Sequence, residues 1–149
     1  MPEWKNEAID YYEKRGLTLM NIFTPQMRIY TVGFNTKRME YEAEILEIPS
    51  ERGSNQSEAL NKILECEGID IVDYNDDIAV IVDDHGMLKS GNPVFEIITE
   101  DGYKLKLCGK LIFARNDYKE DSVDLAGLSL GDIEKLKNSL NIKLTGLLK

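Results

Sequence analysis

Ile69-Asp70-Ile71-Val72-Asp73-Tyr74-Asn75-Asp76-Asp77-Ile78-Ala79-Val80-Ile81-Val82-Asp83-Asp84-His85-Gly86 is the stretch that decides the fold class. Its two β-branched runs, 69–72 and 78–82, are short for helices and read as strands. Five residues of Asp, Asn and Tyr separate them, which is turn chemistry, and a second turn at 83–86 closes the unit. Downstream, 93–99 and 103–107 flank Asp101-Gly102, a strong hairpin signal. Gly109 breaks that run before another apolar strand at 110–114. Ser129 and Asp132 form a capping pattern for a C-terminal helix with Leu130, Ile133, Leu136 and Leu140 inward, and 142–145 reads as a last edge strand.

Upstream the same grammar continues. Asn55 followed by Glu58 predicts the start of a helix with Ala59, Leu60, Ile63 and Leu64 on its apolar face and Gly68 as its stop. Residues 27–34 and the period-two run Glu40-Tyr41-Glu42-Ala43-Glu44-Ile45, with one acidic face, predict two more strands joined through 35–38. Pro25 excludes an interior strand in 17–27, which reads as a connector. Trp4, Ala8, Tyr11 and Tyr12 recur at helical spacing, with Glu3 and Glu7 favouring the start, Lys14 and Arg15 the end, and Gly16 closing the helix. Helix, strands, helix, strands, helix is an α+β order. The expectation is one α+β domain over 1–149, with an N-terminal helix and connector (1–27) and a core (28–149). That core is a mainly antiparallel sheet, covered on one face and packed with about three helices.

Composition fits this reading. At 149 residues and 42% apolar content, the chain is long enough for one hydrophobic core. No run approaches the roughly 18–20 apolar residues needed to cross a bilayer, so no membrane association is expected. The N-terminus lacks the basic-then-apolar order of a signal peptide, which points to the cytoplasm. Cys66 and Cys108 sit in apolar stretches without a Cys-x-x-Cys pattern and read as reduced packing thiols. No Walker loop, dinucleotide fingerprint or nucleophile elbow is present, and no cofactor is expected.

Charge is the feature that points toward function. The chain is −9 overall, and residues 63–88 hold eight carboxylates with no Lys or Arg, so the other 123 residues are nearly neutral. Glu65 and Glu67 fall at a helix end and Asp70 in a strand. The informative part is therefore Asp73, Asp76 and Asp77 in one turn and Asp83, Asp84 and His85 in the other. Five residues hold the turns roughly 16 Å apart at about 3.3 Å per residue, a span for two contacts on one basic groove.

Asp73-x-Asn75-x-Asp77 matches the opening of a calcium loop, but Ile78 replaces the glycine of its sixth position and Asp84 the long terminal Glu, so an EF-hand is excluded. A looser cation site or a metal-assisted hydrolase using Asp73, Asp77, Asp84 and His85 is the alternative, set against solvated turns and no metal at all. A basic strip follows at Lys104, Lys106, Lys110 and Arg115. It reads as a solvated face or lysine-protected edge, set against a small anion or RNA contact, or as an internal partner for the acidic window.

The segment 76–88, with its continuation through Gly109-Lys110-Leu111-Ile112-Phe113 to Leu128-Ser129-Leu130-Gly131-Asp132-Ile133-Glu134, resembles small proteins of unknown function carried by phages and mobile elements of Gram-positive bacteria. The likeness spans about 28–140, to which this chain adds its N-terminal helix and the Asp101-Gly102 hairpin. It implies an accessory role in the conflict between phage and host. Together with the charge, it leads to the expectation of a non-enzymatic acidic protein. Its partner would be a basic or nucleic-acid-binding protein, such as a defence nuclease restrained in an anti-CRISPR or anti-restriction manner, with no direct nucleic-acid contact. The sequence leaves the oligomeric state open.

Overall fold

The computed structural model describes residues 25–149. The helix expected in 1–16 and nearly all of the connector lie outside the described residues. From 25 onward the order is β1 (Gln26–Asn35), β2 (Glu40–Pro49), α1 (Ser54–Leu64), β3 (Ile69–Asp73), β4 (Ile78–Asp83), a 3-10 turn (Gly86–Leu88), β5 (Pro93–Ile98), β6 (Lys104–Cys108), β7 (Leu111–Tyr118), β8 (Val123–Ala126), α2 (Leu130–Ser139) and β9 (Asn141–Leu147). The α+β class holds, with nine strands and two α-helices among the described residues, fewer helices than the three expected.

The strands form two sheets, where one was expected. The central sheet runs β2-β1-β7-β4-β3, with β8 added to the far half of β7. The smaller sheet runs β6-β5-β9. Every pairing is antiparallel. The two halves of β7 explain the extra strand: residues 111–113 pair with β1, and 115–118 extend past it and recruit β8. At four residues, Val123-Asp124-Leu125-Ala126 is too short to announce itself as a strand.

The central sheet is covered on both faces, which corrects the expectation of a single covered face. Alternation along β4 sends Ile78, Val80 and Val82 to one side and Ala79, Ile81 and Asp83 to the other. On the first side Val80, Leu111 and Phe113 pack with Phe95, Ile97 and Leu107 of the smaller sheet and with Ile133 and Leu136 of α2. On the second side Ile81, Ile112, Ile29 and Ile48 pack with Leu60 and Leu64 of α1. All six residues of β4 are buried, so it lies at the centre of a three-layer molecule.

Helix ends show where local rules win and lose. At α2, Ser129 Oγ accepts from the Asp132 amide and the Asp132 carboxylate accepts from the Ser129 amide, the capping box the sequence announced. At α1, the helix begins one residue before Asn55, with Gly53 at the cap and no side-chain capping bond. It ends at Leu64 with Glu65 in the left-handed region (φ 54°), not at Gly68. Gly68 serves a different need: a Cβ there would come within 2.8 Å of the Asp84 carboxylate.

Candidate acidic interaction site

The two acidic turns sit at opposite ends of the β3–β4 hairpin and are built differently. In the first, Asn75 Oδ1 accepts from the amides of Asp77 (2.8 Å) and Ile78 (2.7 Å), and the amides of Tyr74 and Asn75 donate to the Ile78 carbonyl. This Asx-type turn occupies the oxygen that a calcium loop would offer to its ion. The far half of β7 fastens the turn from outside. The Asn116 amide donates to the Asp77 carbonyl, its side chain to Asp73 Oδ1 (3.3 Å), and the Tyr118 hydroxyl to the Asp76 carbonyl. Asp73, Asp76 and Asp77 are left exposed around a fixed backbone.

Arg115 approaches Asp77 at 3.8 Å but makes its closer pair, 3.1 Å, with Asp132 of the α2 capping box. Burial alone would raise the Asp132 pKa. The Ser129 amide and hydroxyl, with Arg115, outweigh it and hold the carboxyl below the usual range. Arg115 therefore ties α2 to the end of β7, and only secondarily offsets the acidic turn.

In the second turn Asp83 and Asp84 have separate fates. Asp83 is buried: one oxygen accepts from the His85 amide (2.9 Å) and the other pairs with the Lys89 ammonium at 2.5 Å. Burial pushes this carboxyl up, but the Lys89 and His85 bonds win and its pKa is lowered. Bonding to Asp83 in turn raises the pKa of Lys89, whose ammonium also donates to the Glu65 carbonyl at the end of α1 (3.2 Å). The result is a latch joining β4, the 3-10 turn and α1. Asp84 is exposed, with one carboxylate oxygen 2.8 Å from His85 Nδ1.

Asp83, Asp84 and His85 each offer a ligand atom within 4.8 Å of the others, the one such cluster among the described residues. Lys89 already sits on Asp83, in the position a cation would take. Asp73 and Asp77 lie at the other end of the hairpin, so the structure does not gather them with Asp84 and His85. Cys66 lines the same cleft as His85 and Lys89. Burial first, then Asp83, raises its thiol pKa, the wrong direction for a nucleophile.

The basic residues do not form one strip. Lys104 and Lys106 lie on β6, where Lys104 pairs with Glu96 (3.4 Å) and Lys106 is the cross-strand neighbour of that glutamate. Lys110 lies against Gly33 of β1 and lines a cleft of about 310 Å³ with Glu42, Asp83 and Lys89. Arg115 is at the acidic turn. Sequence reasoning missed Lys89, Asn116 and Tyr118 as partners of the turns. The parity of β4 puts Asp83 on the row of Ala79 and Ile81, but that row is buried, and so asks for a cation, only because α1 covers that face.

No helix among the described residues is long and apolar enough to cross a membrane. No curated protein and no solved structure matches the chain. A family model, Domain of unknown function (DUF3846), matches residues 35–138, which take in both acidic turns, the Lys89 latch and the capping box of α2. The chain belongs to the DUF3846 family.

Proposed function

We propose that this protein is a non-enzymatic acidic binding protein, encoded by a phage or mobile element. It docks its acidic turns on a basic surface of a nucleic-acid-binding host protein, most sharply a defence nuclease that it inhibits. The observation that carries the reading is the first turn. Asp73, Asp76 and Asp77 are exposed, while the backbone beneath them is fixed by Asn75, Asn116 and Tyr118. Anions on a rigid frame lose little entropy on meeting Lys and Arg arranged for phosphates, and they steer the encounter electrostatically. At the other turn, exposed Asp84 is followed by Met87 and Leu88, 71% and 79% exposed, which offer apolar contact beside the charge.

The test is binding to, and inhibition of, purified nucleic-acid-binding nucleases over a range of salt. Affinity should fall steeply with ionic strength, and reversing Asp73, Asp76, Asp77 and Asp84 to Lys should abolish it. Binding indifferent to salt, or surviving the reversals, refutes the reading.

A second reading, a cation-binding protein or metal-assisted hydrolase, is favoured by the proximity of Asp83, Asp84 and His85. Melting with and without millimolar Ca²⁺, Mg²⁺ or Mn²⁺ separates the two. A specific ion raises the midpoint by mass action, whereas ammonium-latched turns give no shift.

A further inference from the structure

Open strand edges are templates for pairing with other chains, and folded proteins usually blunt them by shortness, bulges, proline or charge. Most edges here are blunted. β3 and β8 have five and four residues. β6 is five residues with Lys104 and Lys106 outward. β9 shifts register against β5 between Val94 and Phe95.

β2 is different. It has ten residues and pairs only with β1 among the described residues. Its register is unbroken from Gln26↔Pro49 to Asn35↔Glu40, and its one proline is the terminal Pro49. Over residues 40–45 its two faces are also sorted, beyond which exposed Glu47 joins the Tyr41 side and buried Ile48 the glutamate side. Glu40, Glu42 and Glu44 are exposed on one side, and Tyr41, Ala43 and Ile45 are exposed on the other. Glu40 has only a 3.8 Å approach from exposed Arg38, and Glu42 accepts from the Asn35 side chain.

We propose that the β2 edge is a strand-addition site for an extended peptide segment of a partner. That segment carries Lys or Arg at every second residue and apolar side chains between them. Charge selects this occupant over a second copy. In a two-fold antiparallel pairing of β2 with itself, opposite residues share parity. Glu42 would then face Glu42, or Glu40 face Glu44, and like charges directly opposite are destabilising. A strand of alternating cations turns the same three positions into opposite-charge pairs, while its other face meets Tyr41, Ala43 and Ile45. This site lies on the sheet edge opposite β3 and does not depend on the acidic turns.

The experiment uses the full chain and two ten-residue peptides, one alternating Lys and Val and one of the same composition in scrambled order. In the free protein the outward amides of β2 should exchange rapidly with deuterium, and the alternating peptide should slow them. That peptide should bind about tenfold more tightly than the scrambled one. Replacing Glu40, Glu42 and Glu44 with Lys should remove the preference and transfer it to a Glu–Val alternating peptide.

Three results overturn the proposal. One is equal binding of the two Lys–Val peptides, which leaves the glutamates as edge protection only. Another is protection of the β2 amides in the free protein, which means that residues 1–24 or a second copy already cover the edge. The third is tight binding of the Glu–Val peptide to the unmodified protein, a control that holds even where the triple variant fails to fold.

Discussion

The turns at the two ends of β4 look alike in the sequence, an acidic pair beside a β-branched run, yet the fold uses them in opposite ways. At 73–77 the carboxylates point out and the backbone is held by neutral groups, Asn75, Asn116 and Tyr118. At 83–85 one carboxylate points in and is itself the fastening, joining the 3-10 turn and α1 through Lys89. Charge count does not distinguish recognition from architecture, whereas burial and partner identity do. Asp83 belongs with the core, and Asp73, Asp76, Asp77 and Asp84 belong with the surface.

The largest effect expected is common to both turns. Ile81 is fully buried in the strand that links them, and Ile81→Ala should cost about 2–5 kcal/mol in chemical denaturation. A smaller loss would mean that the α1 layer closes over the cavity, or that β4 is not the shared frame. Asp83→Asn should separate the turns. It keeps the shape but removes the charge facing Lys89, and should lower stability by about 1–3 kcal/mol. Asp76→Asn, exposed at the other turn, should change stability by less than about 0.5 kcal/mol. Equal losses at Asp83 and Asp76 would erase the distinction.

Acid and alkaline titration sharpens it further. The folded pKa of Asp83 is lowered, so its contribution is fully present above the unfolded carboxylate value of about 3.9 and is lost as pH falls through the folded value. The folded pKa of Lys89 is raised, so the same pair is intact below the unfolded lysine value of about 10.4 and is lost as pH rises through the folded value. Melting of Asp83→Asn against pH should therefore flatten at both extremes relative to the unmodified protein. A residual acid limb should remain from Asp132, whose carboxyl is also depressed. An unchanged alkaline limb would show that Lys89 does not sense Asp83. A modest effect is expected at Arg115. Removing its guanidinium should cost under about 1 kcal/mol, because the pair with Asp132 is partly exposed and the approach to Asp77 is long.

What the sequence made legible was local. The β3–β4 turn, the Asp101-Gly102 hairpin between β5 and β6, and the Ser129–Asp132 capping box are each decided within a few residues, and each is present. The split into two sheets was not legible. It depends on β9 pairing with β5 and on β7 pairing with β1, β4 and β8 at once, and partner choice across dozens of residues leaves no local mark. The start of α1 failed for a related reason. Asn55 is a good cap in isolation, but the helix begins at Ser54, ahead of it. The site was half legible: the turns and their residues were readable, but the inward turn of Asp83 required knowing that the central sheet is covered on its α1 side.

One paired measurement bears most directly on the account. The Asp73/Asp76/Asp77→Lys variant and the Asp83→Asn variant are each tested, beside the unmodified protein, for melting temperature and for binding to a purified nucleic-acid-binding nuclease, the partner class proposed above. The account predicts that the first variant keeps its melting temperature and loses binding. The second should lose melting temperature and keep binding at temperatures where it is folded. The reverse pattern, or binding by the triple-lysine variant with its salt dependence intact, contradicts it.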